Sequence, residues 1–439
     1  MRTKLNRLAI GSAVMAALGA LAAAIPVSCC PGTPVPPVNS DPGGSAPARD
    51  YALVAWNNLG MHCYNRDCAD FLVLPPYNTL WAQVIRVGDP PQIITSGVTI
   101  EYSFPDNTYS ASKPGFVDKT NFWVYAKQIF NLSTELAPNV GLAGKGLSGQ
   151  MDASGDHFVA EGIPLTEYRD VDVSGTDPNT WNRYPFQLAQ LIVRDAATNA
   201  ELTRNTVVAP ISSELSCDMC HADDGDATTR YPINPTGKIE TNILTLHDFL
   251  SASKYPQQYK ALLIDSRPVL CAKCHASNAL NAAGVSGISN LSNAMHNHHK
   301  DLPDITPDTD GCYSCHPGPS TQCLRCTMSK DFAFNCLTCH GDMTQVAQNA
   351  NPWLNEPRCD NAACHGPGYS LDQPLYRMSK GHGGTYCAGC HDSPHAIAPS
   401  REPNDAIKFV ELQGSAGTLR QCTVCHRTMP ADAFVHRAP

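Results

Sequence analysis

The sequence CDMCH at residues 217–221 opens a stretch in which a cysteine pair followed directly by histidine occurs seven times, ending at His426. Six copies separate the two cysteines by two residues, and the copy CDNAACH at 359–365 separates them by four. Six exact copies are more than chance produces, so we expect them to organise the second half of the chain. The other five exact copies are CAKCH at 271–275, CYSCH at 312–316, CLTCH at 336–340, CAGCH at 387–391 and CTVCH at 422–426.

This motif predicts covalent attachment of c-type haem, in which the cysteine sulfurs bond the haem vinyl groups and the adjacent histidine is the proximal ligand of the iron. Structural zinc also uses cysteine pairs, but it needs four ligands per ion and does not need a histidine after every pair. We therefore expect seven haem c groups. The attachment cysteines are Cys217, Cys220, Cys271, Cys274, Cys312, Cys315, Cys336, Cys339, Cys359, Cys364, Cys387, Cys390, Cys422 and Cys425, and the proximal ligands are His221, His275, His316, His340, His365, His391 and His426.

The remaining histidines are candidates for the second, distal axial ligand. The chain has sixteen histidines, of which seven belong to the motifs and two, His62 and His157, precede the motif region. Seven histidines are therefore left for seven irons. The distal candidates are His247, His296, His298, His299, His382, His395 and His436, with Met295, Met343 and Met378 as competing ligands.

The first residues predict export. Three basic residues precede an apolar run over 8–25 that ends at Pro26, which is typical of a signal peptide. VSCC at 27–30 resembles a bacterial lipidation motif and predicts a lipid anchor at Cys29 or Cys30. Ordinary cleavage after the alanines at 22–24 is the alternative. The Pro-, Gly- and Ser-rich residues 31–50 predict a tether.

The region 51–216 contains no haem motif and predicts a β-rich domain of sandwich-like type, with one or two short helices. Its apolar runs are short, rich in β-branched and aromatic residues, and separated by turn-forming residues. A helix is expected at 121–130, where apolar residues recur at helical spacing. The predicted strands are YALVAW at 51–56, TLWAQVIRV at 79–87, GVTIEYSF at 97–104, FQLAQLIVRD at 186–195 and NTVVAPI at 205–211.

The region 217–439 predicts a heptahaem cytochrome c domain with short helices and little regular structure, because the segments between motifs are too short to build separate apolar cores. The haem groups themselves are expected to form that core. The fold expectation is thus an N-terminal all-β domain followed by a multihaem domain.

Four further cysteines, Cys63, Cys68, Cys323 and Cys326, lie outside the seven haem motifs. In GMHCYNRDC at 60–68, an exported chain favours a disulfide between Cys63 and Cys68, and the same reasoning favours one between Cys323 and Cys326, which lack a following histidine. Degenerate haem attachment is the alternative for the second pair. His62 is a candidate distal ligand for a haem of this or a neighbouring subunit, or an ordinary packed or surface histidine, and His157 is expected at the surface.

With these residues, the chain resembles the outer-surface multihaem c-type cytochromes of metal-reducing bacteria, some of which polymerise into extracellular wires. The resemblance covers the half of the chain from Cys217 onward, and the four-residue gap at 359–364 is similar to a variant spacing that multihaem cytochromes use. It implies an outer-membrane-surface or extracellular location and a role in extracellular respiration. The domain at 51–216 is unlike the small wire-forming members.

Three functions fit this sequence: an electron conduit of bis-histidine haems, a polymerising wire subunit, and a multihaem reductase of a small oxyanion or sulfur compound. Ammonia-forming nitrite reductases replace one motif histidine by lysine, and no such motif occurs here. The conduit, which is not an enzyme, is therefore the leading expectation. A net charge of −9 and the lack of a basic patch exclude nucleic acid and favour redox proteins or extracellular electron acceptors as partners, besides a membrane surface reached through the lipid anchor.

Overall fold

The computed structural model describes residues 46–302, 305–306, 308–362, 364–366, 369, 373–431 and 436. The predicted export signal and lipidation motif at 1–30 and most of the predicted tether lie outside the described residues. Within the described ranges, no helix combines the length and apolar character needed to cross a membrane.

Two five-stranded sheets make up the N-terminal region. One has the strand order β1-β4-β9-β8 with β5 paired to β4, and the other has the order β2-β11-β10-β6-β7. The strands are β1 Tyr51–Asn57, β2 His62–Cys63, β3 Phe71–Leu72, β4 Asn78–Arg86, β5 Gln92–Ile94, β6 Val98–Ser103, β7 Ser148–Gln150, β8 Asp152–Ser154, β9 His157–Ile163, β10 Phe186–Asp195, β11 Glu201–Ser212 and β12 Val269–Leu270.

The two sheets share one apolar core. Alternate residues of β6 are buried, as expected for a strand with one face on a core, and the same alternation recurs along β10. Leu53 and Val84 of the first sheet and Ile100 and Leu191 of the second belong to the same buried cluster. The five predicted strands are therefore present.

The N-terminal region is not purely β. The expected helix is present as α1 (Phe122–Phe130), with Phe122, Trp123, Ala126 and Ile129 buried. The boundary predicted at 216 is also crossed by backbone pairing, because β12 lies parallel to β3 with Val269 opposite Phe71. The observed architecture is thus a mixture of sheets and short helices.

The C-terminal region consists mainly of short helices joined by turns. The two longest are α4, with thirteen residues, and α11, with eleven. The helices are α2 Asp218–His221, α3 Asp226–Thr229, α4 Ile239–Ser251, α5 Leu291–His299, α6 Thr309–Tyr313, α7 Thr327–Asp331, α8 Cys336–His340, α9 Met343–Gln348, α10 Cys387–His391 and α11 Pro403–Gln413.

Buried polar groups join the two regions. The Arg325 guanidinium donates to both carboxylate oxygens of Asp405 at 2.7 and 3.1 Å and to the carbonyl of Gly60 at 2.8 Å. Lys408 donates to Asp392 at 2.8 Å and to the carbonyl of Ala55 at 3.1 Å. All four charged side chains are at most 3% exposed, so these contacts fix the C-terminal region against the sheets.

Aromatic residues form a second part of this interface. Tyr386 packs against Trp56 and Trp81 with ring centres 5.3 and 5.4 Å apart, and its backbone N–H donates to Gln83 at 3.0 Å. Tyr386 immediately precedes the motif at 387–391. The outer face of the first sheet therefore supports one of the predicted haem motifs directly.

Candidate functional site: paired histidines around one cavity

A single connected cavity of about 3070 Å³ runs through the C-terminal region. Its volume is several times that of a usual small-molecule pocket, which is roughly 300–1,000 Å³. All seven motifs and all seven distal candidates line it, whereas His62 and His157 do not. The sequence motifs therefore converge on one shared interior.

Six motif histidines face a second histidine across this cavity. The distances between ring centres fall in a narrow range, from 5.7 to 6.5 Å. The pairs are His221 with His299 at 6.5 Å, His275 with His247 at 6.2 Å, His316 with His296 at 6.0 Å, His340 with His395 at 6.1 Å, His391 with His436 at 5.7 Å and His426 with His382 at 6.0 Å.

This spacing fits one metal ion between two imidazoles. A metal–nitrogen bond of about 2 Å on each side, with roughly 1 Å from each nitrogen to its ring centre, sets the two centres about 6 Å apart. A histidine that stacks directly on another ring in this protein, His157 on Trp81, comes to 4.4 Å. The donor set therefore fits haem iron with two axial histidines.

Several of the paired rings are oriented through Nδ1. His275 Nδ1 lies 2.8 Å from the carbonyl of Ser289, and on α5 the Nδ1 atoms of His296 and His299 lie 2.7 and 2.6 Å from the carbonyls four residues earlier. A carbonyl accepts only from a protonated Nδ1, which leaves Nε2 as the unprotonated nitrogen. Ligating histidines in metalloproteins are held in the same way.

Two other rings are held by side chains. His247 on α4 places Nδ1 2.8 Å from the Tyr255 hydroxyl, which in turn donates to Asp248 at 2.8 Å. His426 places Nδ1 3.4 Å from the carboxylate of Asp89, a residue of the N-terminal region. No sequence pattern indicates that these groups accept hydrogen bonds from the histidines, because they are distant from the motifs or belong to ordinary turns.

Burial favours the neutral imidazole that a metal ligand requires. Burial, followed by the neighbouring imidazole of each pair, lowers the pKa of His221, His316 and His395 to about 4. The Nδ1 atom of His221 is buried without a hydrogen-bond partner. These rings are poor proton carriers and suitable ligands.

Several motif cysteines lie in surroundings that disfavour the thiolate. Burial raises the pKa of Cys271 and Cys425 to about 12 and that of Cys390 to about 11. Within the described residues, no three His, Cys, Asp or Glu side chains converge as a metal cage.

The stretched copy at 359–365 keeps one backbone hydrogen bond of the exact copies. In the copy at 217–221 the N–H of His221 donates to the carbonyl of Cys217 at 2.9 Å, and in the stretched copy the N–H of His365 donates to the carbonyl of Cys359 at 3.1 Å. The two additional residues therefore leave the contact between first cysteine and histidine unchanged. This supports its inclusion among the motifs.

The expected one-to-one matching of distal histidines to motifs is incomplete. His298 is exposed on α5 and faces none of the motif histidines at the spacing of the six pairs. The ring facing His365 is Tyr369, at 5.3 Å. Counting histidines along the sequence could not reveal this, because the count carries no information on position.

His62 and His157 belong to the N-terminal region and are both buried, at 6% and 8% exposure. Nε2 of His62 lies 3.0 Å from the amide oxygen of Asn58, and burial lowers the pKa of His62 to about 3. This position favours the packed-histidine alternative over a ligand for another subunit. The expectation of a surface position for His157 was wrong, because the ring stacks on Trp81.

The two expected disulfides are not present, since neither Cys63 and Cys68 nor Cys323 and Cys326 are bonded to each other. Cys68 is buried in the cluster beneath α1 with Phe122. Cys63 lies on β2 opposite Ser212, whose hydroxyl is 3.0 Å from that of Thr321. This register brings Cys63 towards Cys323, and burial followed by that neighbouring thiol raises the pKa of Cys63 to about 12.

Comparison with protein-family models, curated proteins and solved structures finds no match for this chain. The functional assignment therefore rests on the motifs and on the geometry of the paired histidines.

Proposed function

We propose that this chain is a multihaem c-type cytochrome that conducts electrons along a row of covalently attached haems. The observation that carries the proposal is the set of six histidine pairs spaced 5.7–6.5 Å apart around one cavity, each pair containing a motif histidine. Haem iron supplies the one-electron chemistry. Seven haem c groups are expected.

The chain's own residues have three tasks in this function. The cysteine pairs fix each group covalently, so that its position does not depend on affinity. The paired histidines would hold six irons, each between two imidazoles, and would thereby exclude water and substrate from the metal. Their Nδ1 contacts, such as that between His275 and Ser289, hold the rings in place during oxidation and reduction.

Neighbouring motifs lie close together, as conduction requires. Cys312 and Cys336, from the third and fourth motifs, share a hydrogen bond that raises the pKa of Cys312. Burial and then the nearby Cys315 thiol raise the pKa of Cys217 to about 11, which places the first motif beside the third. Burial and then Cys390 act in the same way on Cys425, which places the sixth motif beside the seventh.

The chain order of the motifs is therefore not their spatial order. Helix α5 supplies His296 to the third motif and His299 to the first, so a single helix connects two groups. His340 of the fourth motif is paired with His395, which follows the sixth motif in sequence. Proximity in sequence alone predicts that the haem groups follow one another in motif order. The pairs observed here instead connect motifs that are not consecutive in the chain.

A spectroelectrochemical titration tests the proposal. Bis-histidine haems that repel one another electrostatically are expected to titrate over a broad range, below the potentials of haems with methionine and histidine ligands. His382→Met is expected to move one centre to higher potential, because His382 faces His426. His298→Met is the matched control and is expected to leave the titration unchanged. A chain without reversible redox centres would contradict the proposal.

A further inference from the structure

The turn between β1 and β2 is in direct contact with the residues that precede His395. Gly60 lies in this turn with φ +75°, and a Cβ atom added to it would overlap the carbonyl oxygen of Pro394 and come within 3.3 Å of the Cβ of Ser393. Position 60 therefore requires glycine both for its backbone conformation and for this close approach. The first region thus reaches to within one residue of a distal candidate.

Arg325 joins the same two segments. Its Nη1 atom donates to the carbonyl of Gly60 at 2.8 Å, and its backbone N–H donates to the carbonyl of His395 at 2.9 Å. Both carboxylate oxygens of Asp405 accept from the guanidinium, which is buried. Because these three contacts come from one residue, Arg325 fixes the turn of the first region relative to His395. We call Gly60, Arg325 and Asp405 the His395 clamp.

Arg325 belongs to CLRCT at 323–327, the cysteine pair that lacks a following histidine. Thr327 occupies the position at which the motifs have histidine, and its backbone N–H donates to the carbonyl of Ile397 at 2.9 Å. The N–H of Arg401 donates to the carbonyl of Arg325 at 2.8 Å. The segment is therefore paired along its backbone with the residues around His395, which gives it a structural task beside the fourth motif.

His395 has a backbone conformation that depends on such support. Its φ is +63°, in the left-handed region that is unfavourable for residues other than glycine and persists where the surrounding structure imposes it. Its ring centre lies 6.1 Å from that of His340. Burial, followed by His340 and then Arg325, lowers the pKa of His395 to about 4, so the guanidinium lies near the ring as well as the backbone.

We propose that the His395 clamp positions the distal ligand of the haem held by His340, so that the first region sets the coordination of one haem in the second region. This inference rests on the proposed haem function. It gives the first region a task beyond packing against the motif at 387–391. Gly60 and Arg325 are positioning residues, because they act on the iron only through His395.

Gly60→Ala is the sharpest test, because the added methyl group is expected to displace Pro394 and with it His395. Carbon monoxide binding to the reduced protein is measured together with haem content. We expect seven haems and one more bound carbon monoxide per chain than in the wild type. Gly97→Ala is the matched control: Gly97 has φ +74°, but an added Cβ would meet nothing within 4 Å. It carries the same backbone strain and is expected to bind carbon monoxide as the wild type does.

A double variant assigns the effect to one iron. His395→Ala removes the ligand itself and is also expected to add one bound carbon monoxide per chain. Gly60→Ala combined with His395→Ala is expected to add no further molecule, because both changes open the same iron. Additional binding in the double variant would show that Gly60 acts on another iron and would overturn the inference.

Arg325→Lys tests the clamp without a steric clash. Lysine keeps the positive charge but cannot reproduce the forked contacts with Asp405 and Gly60, so the potential of one centre is expected to shift while the other six are unchanged. Seven haems with wild-type titration in Arg325→Lys and wild-type carbon monoxide binding in Gly60→Ala would overturn the inference and leave the conduit intact. A chain without haem would instead overturn the proposed function, so the two failures are distinguishable.

Discussion

The two regions of this chain are stabilised in different ways. Residues 51–212 have one continuous apolar core between two sheets, formed by residues of that region alone. In residues 217–431, each apolar cluster found is shared with the first region: Leu412 with Val54, Tyr376 with Trp56, and Leu270 with Phe122. The second region surrounds a cavity of about 3070 Å³ where the first has its core.

This difference shows what each part of the sequence encodes. Strands with alternating apolar residues encode a core that the chain supplies itself. Helices of four to six residues, such as α2 and α8, are too short to be stable alone and need packing partners. In the second region those partners are expected to be the haem groups, supported on one side by the first sheet.

The largest expected effect comes from producing the chain without haem attachment. The first region is expected to keep slow amide hydrogen exchange, with opening free energies of about 5 kcal/mol, because its core is complete. The second region is expected to exchange with opening free energies near zero. Hydrogen exchange read by mass spectrometry gives both values on one sample. Equal protection of the two regions from hydrogen exchange would contradict the inference that only the first region has an apolar core of its own.

A smaller effect is expected at the interface between the regions. Asp405→Ala leaves Arg325 buried without its carboxylate and is expected to cost about 3–5 kcal/mol of unfolding free energy, as loss of one partner of a buried ion pair does. Denaturant unfolding of the haem-loaded protein measures it. Glu201→Ala is the matched control, since it breaks a solvent-exposed pair with Arg204 and is expected to change little. Equal losses of unfolding free energy in the two variants would show that the buried ion pair stabilises the protein no more than the exposed pair does.

The smallest effect is a pH dependence confined to the first region. Burial would raise the pKa of Asp170, but hydrogen bonds from Lys113, Lys119 and Thr108 outweigh it and lower the pKa to about 2. Because this is below the unfolded value, the stabilisation is complete above about pH 4 and is lost as the pH falls towards 2.

With screening considered, we expect about 1 kcal/mol from this group. Acid titration of unfolding stability measures it, and Asp170→Asn is expected to flatten the slope between pH 4 and pH 2. An unchanged slope in the variant would assign the acid sensitivity to other groups.

Much of this architecture could be predicted from sequence, where local pattern decides structure. The strands at 51–57 and 186–195 and the helix at 122–130 follow from alternation and helical spacing. The seven motifs are read directly from the sequence. Six of the seven distal candidates, which were selected because they lie in the motif region, face motif histidines.

Other features depend on contacts that spacing does not encode. Cys63 and Cys68 are close in sequence, but the pairing of β2 with β11 directs Cys63 towards the second region while Cys68 packs under α1. Similarly, the seven spare histidines equal the seven expected irons in number, yet His298 lies beside the second motif rather than near His365. Such assignments require the folded chain.

We propose that the second region is built around seven covalently attached haems. Intact-mass spectrometry of the exported protein, followed by peptide mapping of the cysteine pairs, measures the number and position of these groups. We expect seven haem increments per chain, one on each motif, including Cys359 and Cys364. A mature chain that carries no haem increments, or that carries zinc on intact thiols, would contradict it.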